Sequence, residues 1–248
     1  MDETFSHGTS LLHRRAPKVK IIAAITFIAV VAISKSFVVV AMTLVVAVIL
    51  QSLARLSPVA VAKRLAAVNT FTFFLWLTLP LTYGGQEFTS FGPFSLSIDG
   101  LWLALLITLK TNTIVLSLIA LLGTSTIANL GHALEGLYIP KRLCFLLLFS
   151  YRYVFVIYQE YQKLSRAAAM RCFVPATNLH TYRTVGYLFG MTLVKSWNRA
   201  SRIHQAMLLR GFDGKLIPLD RQTVDRTDYL FLAIFLLLST TLASLHFA

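Results

Sequence analysis

Five runs of fifteen to twenty-two residues in this chain are almost wholly apolar: 19–33, 37–53, 65–83, 101–122 and 228–245. A helix advances ~1.5 Å per residue, so about 20 apolar residues cross the ~30 Å hydrocarbon core of a bilayer. The chain is 56% hydrophobic and 13% charged, with a mean hydropathy of +0.71, too apolar for its polar surface to enclose a soluble core. Backbone groups inside lipid must be satisfied within the segment, which favours helices. The pattern therefore specifies an all-α polytopic membrane protein.

The 23 lysines and arginines give a net charge of +13, and their placement sets the topology. Four precede or open the first run, three lie between the second and third, and fourteen fall between Lys141 and Arg226. Lysine and arginine favour the cytoplasmic side. The N-terminal segment 1–18 is thus expected inside, and loop 84–98, with no lysine or arginine, outside. Were residues 143–158 to cross, Lys163, Arg166, Arg171 and Arg183 would emerge outside. The expected domains are a cytoplasmic segment 1–18, a four-helix membrane region 19–122, a cytoplasmic-facing region 123–226 and a last span in 227–248. Five spans with an external C-terminus follow, and seven spans is the alternative because 143–158 is very apolar. Cations set between apolar runs meet anionic headgroups rather than nucleic acid.

Within 123–226, two long patterned stretches predict helices over 142–173 and 184–210, each about 40–45 Å long. In the second, Leu193, Trp197, Ala200, Ile203 and Met207 form an apolar face, while Lys195, Arg199 and Arg202 form a cationic one. Small residues four apart suit a close helix crossing: Ser165 with Ala169, Ala168 with Cys172, Gly186 with Gly190, and Ser196 with Ala200. Gly211 is a favourable C-terminal cap and Pro175 stops the first helix. Ser57-Pro58 marks a helix start, Asp99 is the expected cap of the fourth span, and 124–140 reads as a short interfacial helix. On chemistry alone, a pair of basic helices lying on anionic lipid is the competing reading of this region.

Few groups offer chemistry. Lys110 lies inside the fourth run, where an ionisable group is functional by default, but the expected role is a hydrogen bond to a neighbouring helix. None of the ten acids lies inside a span, Asp228 standing at the start of the last one, which argues against a stand-alone proton- or sodium-coupled carrier. The six histidines form no paired-ligand spacing, so no metal site is expected, including at His7 with His13. Gly214-Lys215 lacks the rest of a phosphate loop, and no nucleophile elbow or zinc-protease helix is present. Cys144 and Cys172 are expected as free thiols. No catalytic residue is assigned.

The stretches Thr124-Ser-Thr, Ala133-Leu-Glu-Gly-Leu-Tyr-Ile-Pro140, Ser150-Tyr-Arg-Tyr-Val-Phe-Val and Ala206-Met-Leu-Leu-Arg210-Gly-Phe-Asp-Gly together resemble one family over most of the chain. It is the transmembrane T-component of energy-coupling factor (ECF) transporters, in its cobalt-type CbiQ branch. The family's two Ala-Arg-Gly helix tips correspond to Met170-Arg171-Cys172 and Leu209-Arg210-Gly211. Both alanines are replaced, and Cys172 in place of glycine implies a different cap for the first helix. The resemblance implies a non-catalytic ABC-transporter subunit for cobalt uptake in the plasma (inner) membrane, linked to cobalamin biosynthesis. Two crossed coupling helices would seat their arginine tips in two ATP-binding, CbiO-like subunits. ATP would sit on those partners, with no cofactor on this chain. Motion would pass to a substrate-binding, CbiM-like membrane subunit, with a small CbiN-like subunit as a further partner.

Overall fold

The computed structural model describes residues 8, 10–82, 87–91, 94–213 and 225–247. Residues 1–7 with His7, the Gly214-Lys215 pair and Ala248 lie outside the described residues. The elements are α1 Pro17–Ile33, α2 Phe37–Ala54, α3 Pro58–Thr82, β1 Glu87–Phe91, β2 Phe94–Ser97, α4 Ile98–Leu121, α5 Ile127–Glu135, α6 Lys141–Met170, α7 Leu179–Leu209 and α8 Arg226–Phe247. The helical reading holds, with one short antiparallel hairpin, β1–β2, in the expected loop. Several boundaries shift. Ser97 rather than Asp99 caps α4, its side chain accepting from the Gly100 N–H, and Asp99 sits in the first turn. α7 starts at Leu179, ahead of residue 184, because Asn178 caps it by accepting from the Thr181 N–H at 2.8 Å.

Among the described residues, five helices are long and apolar enough to cross a membrane: α2, α3, α4, α6 and α8. The number matches expectation but the membership differs. α1 has 17 residues, because Ser34-Lys35-Ser36 ends it early. α6 qualifies through its apolar first half.

The chain divides into two compact units, one of residues 1–133 with 221–248 and the other of 134–220. In the first, α1 packs on α4 and α8, and α4 also packs on α2 and α3. Ala23, Ala24, Phe27 and Val31 of α1 join Leu50, Ala54, Ala120, Leu121 and Phe235 in one core. Leu12, from the turn before α1, is plugged into the same core at 1% exposure. Close approach of α3 to α4 depends on Gly100, since a Cβ there would lie 2.8 Å from the Leu79 carbonyl. In lipid the apolar driving force between helices fades, so packing and polar contacts must join them. The Trp76 indole N–H donates to Thr108 Oγ1 at 2.9 Å between α3 and α4. Lys110 Nζ donates to the Ala32 carbonyl at 3.0 Å, placing its cation at the electronegative end of α1. That is the inter-helix hydrogen bond expected of Lys110.

Candidate functional site

The second unit is built on α6 and α7, of 30 and 31 residues. Their side-chain contacts pair low numbers with high: Phe145 with Phe212, Glu160 with Lys195 and Arg199, Tyr161 with Phe189, and Phe173 with His180. The two helices therefore run antiparallel, and their C-terminal ends lie at opposite ends of the pair. At ~1.5 Å per residue the two ends are about 45 Å apart.

Both ends are built alike. Arg171 and Arg210 are the C-cap residues, followed by Cys172 at φ 61° and Gly211 at φ 76° in the left-handed region. The Phe173 N–H donates to the Ala168 carbonyl and that of Phe212 to the Met207 carbonyl, each at 3.1 Å. Cys172 and Gly211 donate to Ala169 and Leu208, both at 3.0 Å. This is the same Schellman closure twice. Cys172 thus adopts the glycine-like conformation, and the different cap expected there is not formed. Each closing phenylalanine then docks near the start of the other helix: Phe173 on His180 at 6.3 Å, Phe212 on Phe145 at 5.6 Å. The first helix stops at Met170, so this closure and not Pro175 ends it.

The tips present Met170 at 80% exposure and Leu209 at 90%, beside the exposed Arg171 and Arg210. Neither guanidinium has a hydrogen-bond or ion-pair partner among the described residues. Midway along the pair, Glu160 accepts from Lys195 at 2.8 Å and from Arg199 at 3.4 Å. The cationic face of α7 is therefore partly turned inward, while Leu193 and Trp197 of the expected apolar face point outward. Glu160 on α6 draws Lys195 and Arg199 toward it, so the amphipathic pattern of α7 taken by itself does not tell which face meets α6.

The small-residue positions divide. Ser165, Ala168 and Ser196 are half-buried, whereas Ala169 and Ala200 are exposed. A Cβ on Gly186 or Gly190 would meet nothing within 4 Å, so these glycines seat no close approach between α6 and α7. Their open flank remains available to something outside the chain.

Sequence reasoning missed Glu160 as the centre of the pair, and a buried ionic cluster in the first unit. Lys20, fully buried, donates to Thr124 Oγ1 at 3.2 Å and Ser125 Oγ at 2.8 Å. Arg15 pairs with buried Asp228 at 3.4 Å and lies over the Phe231 ring. The start of α1, the end of α4 and the start of α8 therefore share one end of this unit. No group of three His, Cys, Asp or Glu side chains positioned for a metal occurs among the described residues.

The family model for CbiQ, described as cobalt transport protein, matches residues 8–221, most of the chain. The chain belongs to the CbiQ family. Over 232 residues it is 28% identical to an uncharacterized protein of Methanocaldococcus jannaschii, covering 88% of this chain and 84% of that one. Over 110 residues it is 29% identical to the nickel permease LarQ of Lactiplantibacillus plantarum, covering 44% and 40% of the two chains. This CbiQ-family chain is a multi-pass membrane transport protein.

Proposed function

We propose that the chain is the non-catalytic T-subunit of an ECF-type ABC transporter that takes up a divalent metal, cobalt by the family's description. The observation that carries the reading is the pair of equivalent arginine tips at opposite ends of an antiparallel helix pair. One arginine ending would serve a lipid surface or a solvated cap. Two built to one pattern, about 45 Å apart with unpartnered guanidiniums, fit two separate copies of one partner. An arginine fork locks a carboxylate through two parallel hydrogen bonds. The partners are two CbiO-like ATP-binding subunits, which close on ATP and draw the tips with them. The stiff pair passes that motion to a CbiM-like substrate-binding subunit, with a CbiN-like subunit alongside, in the plasma membrane.

Topology supports the assignment. The end of α4 and the start of α8 lie at the same end of the first unit, so crossings between them must be even in number. A crossing by α6 would require a return by α7, which is not apolar enough. The pair is read as facing the cytoplasm, with the N-terminus on that side.

The test is co-purification of the ATP-binding subunits with metal uptake. Arg171→Ala and Arg210→Ala should each cost about 2–5 kcal/mol of docking, roughly 30-fold to several-thousand-fold in affinity. Lysine at either tip should rescue only in part, since it keeps charge and loses the planar fork. Arg166→Ala and Arg202→Ala, on exposed helix faces, should change little. Normal assembly and uptake in the double tip variant would refute the coupling role.

A further inference from the structure

The turn before α1 and the end of α2 form a half-open cavity of about 490 Å³, lined by Ser10, Leu11, Arg14, Ser52, Leu53 and Arg55. Its position is fixed by the core, because Leu12 and Ala54 on either side are both buried in one cluster. The adjacent arginines have different fates. Arg15 is neutralised by Asp228, whereas Arg14 turns to the cavity with Arg55. Arg14 and Arg55 are exposed and have no hydrogen-bond or ion-pair partner among the described residues. No acid is among the described lining residues. Two full positive charges outweigh the ~0.5 negative charge that the α2 C-terminus contributes nearby.

We infer that this cavity holds the phosphodiester headgroup of an anionic phospholipid. Two guanidiniums lining one cavity make a locally positive site, and their planar forks match phosphate oxygens. Ser52 Oγ already donates to the Val48 carbonyl, so recognition rests on the arginines. The cavity's volume lies within the ~300–1,000 Å³ range of small-ligand sites. Its depth selects lipid over a free anion. α2 is an apolar helix of spanning length that ends at Ala54, so the cavity sits at headgroup level. Leu11 and Leu53, 65% and 43% exposed, offer an apolar edge to the acyl chains below the phosphate.

The experiment is native mass spectrometry of the full chain in neutral detergent, titrated with phosphatidylglycerol, phosphatidylcholine or inorganic phosphate. The expected result is one saturable phosphatidylglycerol site, no comparable site for phosphatidylcholine, and no displacement by millimolar phosphate. Arg14→Gln/Arg55→Gln should weaken it about 30-fold, the combined effect of two headgroup-level cations. Lys63→Gln/Arg202→Gln removes the same charge elsewhere and should leave it intact. Arg14→Lys/Arg55→Lys should fall between, which separates loss of the fork from loss of fold. Equal weakening in the control pair, equal phosphatidylcholine binding, displacement by free phosphate, or no saturable site would each overturn the inference.

Discussion

Cys172 occupies a backbone position that disfavours any residue with a Cβ. Its φ of 61° costs about 1–2 kcal/mol in a non-glycine residue, partly offset by the rigidity it gives the unfolded chain. Cys172→Gly should therefore stabilise the protein by about 0.5–1 kcal/mol, and Gly211→Ala should destabilise it by about 1 kcal/mol. Gly211 has open space around a built Cβ, so the second effect is purely conformational. Thermal melting in detergent checks both, at roughly 2–4 °C per kcal/mol for a chain of this size. The arginines of these tips were legible in the sequence from the family pattern, but the cap was not. Replacing glycine by cysteine argues against a left-handed turn when read alone. What imposes it is the pair of closing hydrogen bonds, with Phe173 packed against His180, and only tertiary structure supplies that packing.

Apolar periodicity located most helices to within a few residues, because an apolar run in lipid has no alternative partner. It could not show which way α7 turns. Lys195 and Arg199 read only as a cationic face until Glu160, 35 and 39 positions earlier, is placed opposite them. The buried cluster was hidden for the same reason. Arg15 and Lys20 look like topology-setting cations, and Asp228 like a polar helix start. Their contacts join α1 to the α4–α5 turn and the turn before α1 to α8, at separations of 104 to 213 residues. Asp228→Ala should cost about 3–5 kcal/mol, since it strands Arg15 and leaves buried Lys20 without a nearby acid. Adding Lys20→Met should restore part of that loss, with a coupling of about 0.5–3 kcal/mol. Chemical or thermal unfolding of the two single variants and the double variant measures it. Strict additivity would mean that Asp228 does not act on Lys20.

At the scale of the whole chain, positive residues gave the expected sidedness, and the shared end of α1, α4 and α8 adds the parity. Single cysteines at Ser90, Thr177 and Ala248, in a background without Cys144 and Cys172, report it through an impermeant thiol reagent on intact cells. Ser90 and Ala248 should label and Thr177 should not; external labelling at Thr177 would defeat five spans. The seven-span alternative was legible in 143–158, yet composition could not reject it, because apolar length alone does not distinguish a span from a helix facing a partner. The matching ends of α6 and α7 carry one more consequence. Under the coupling role proposed above, the pair is a lever with like handles, so exchanging Met170-Arg-Cys-Phe with Leu209-Arg-Gly-Phe should leave transport unchanged. Under that proposal any polarity in its stroke would have to originate along the shaft, where one carboxylate on α6 faces two cations on α7 and no mirrored cluster occurs among the described residues.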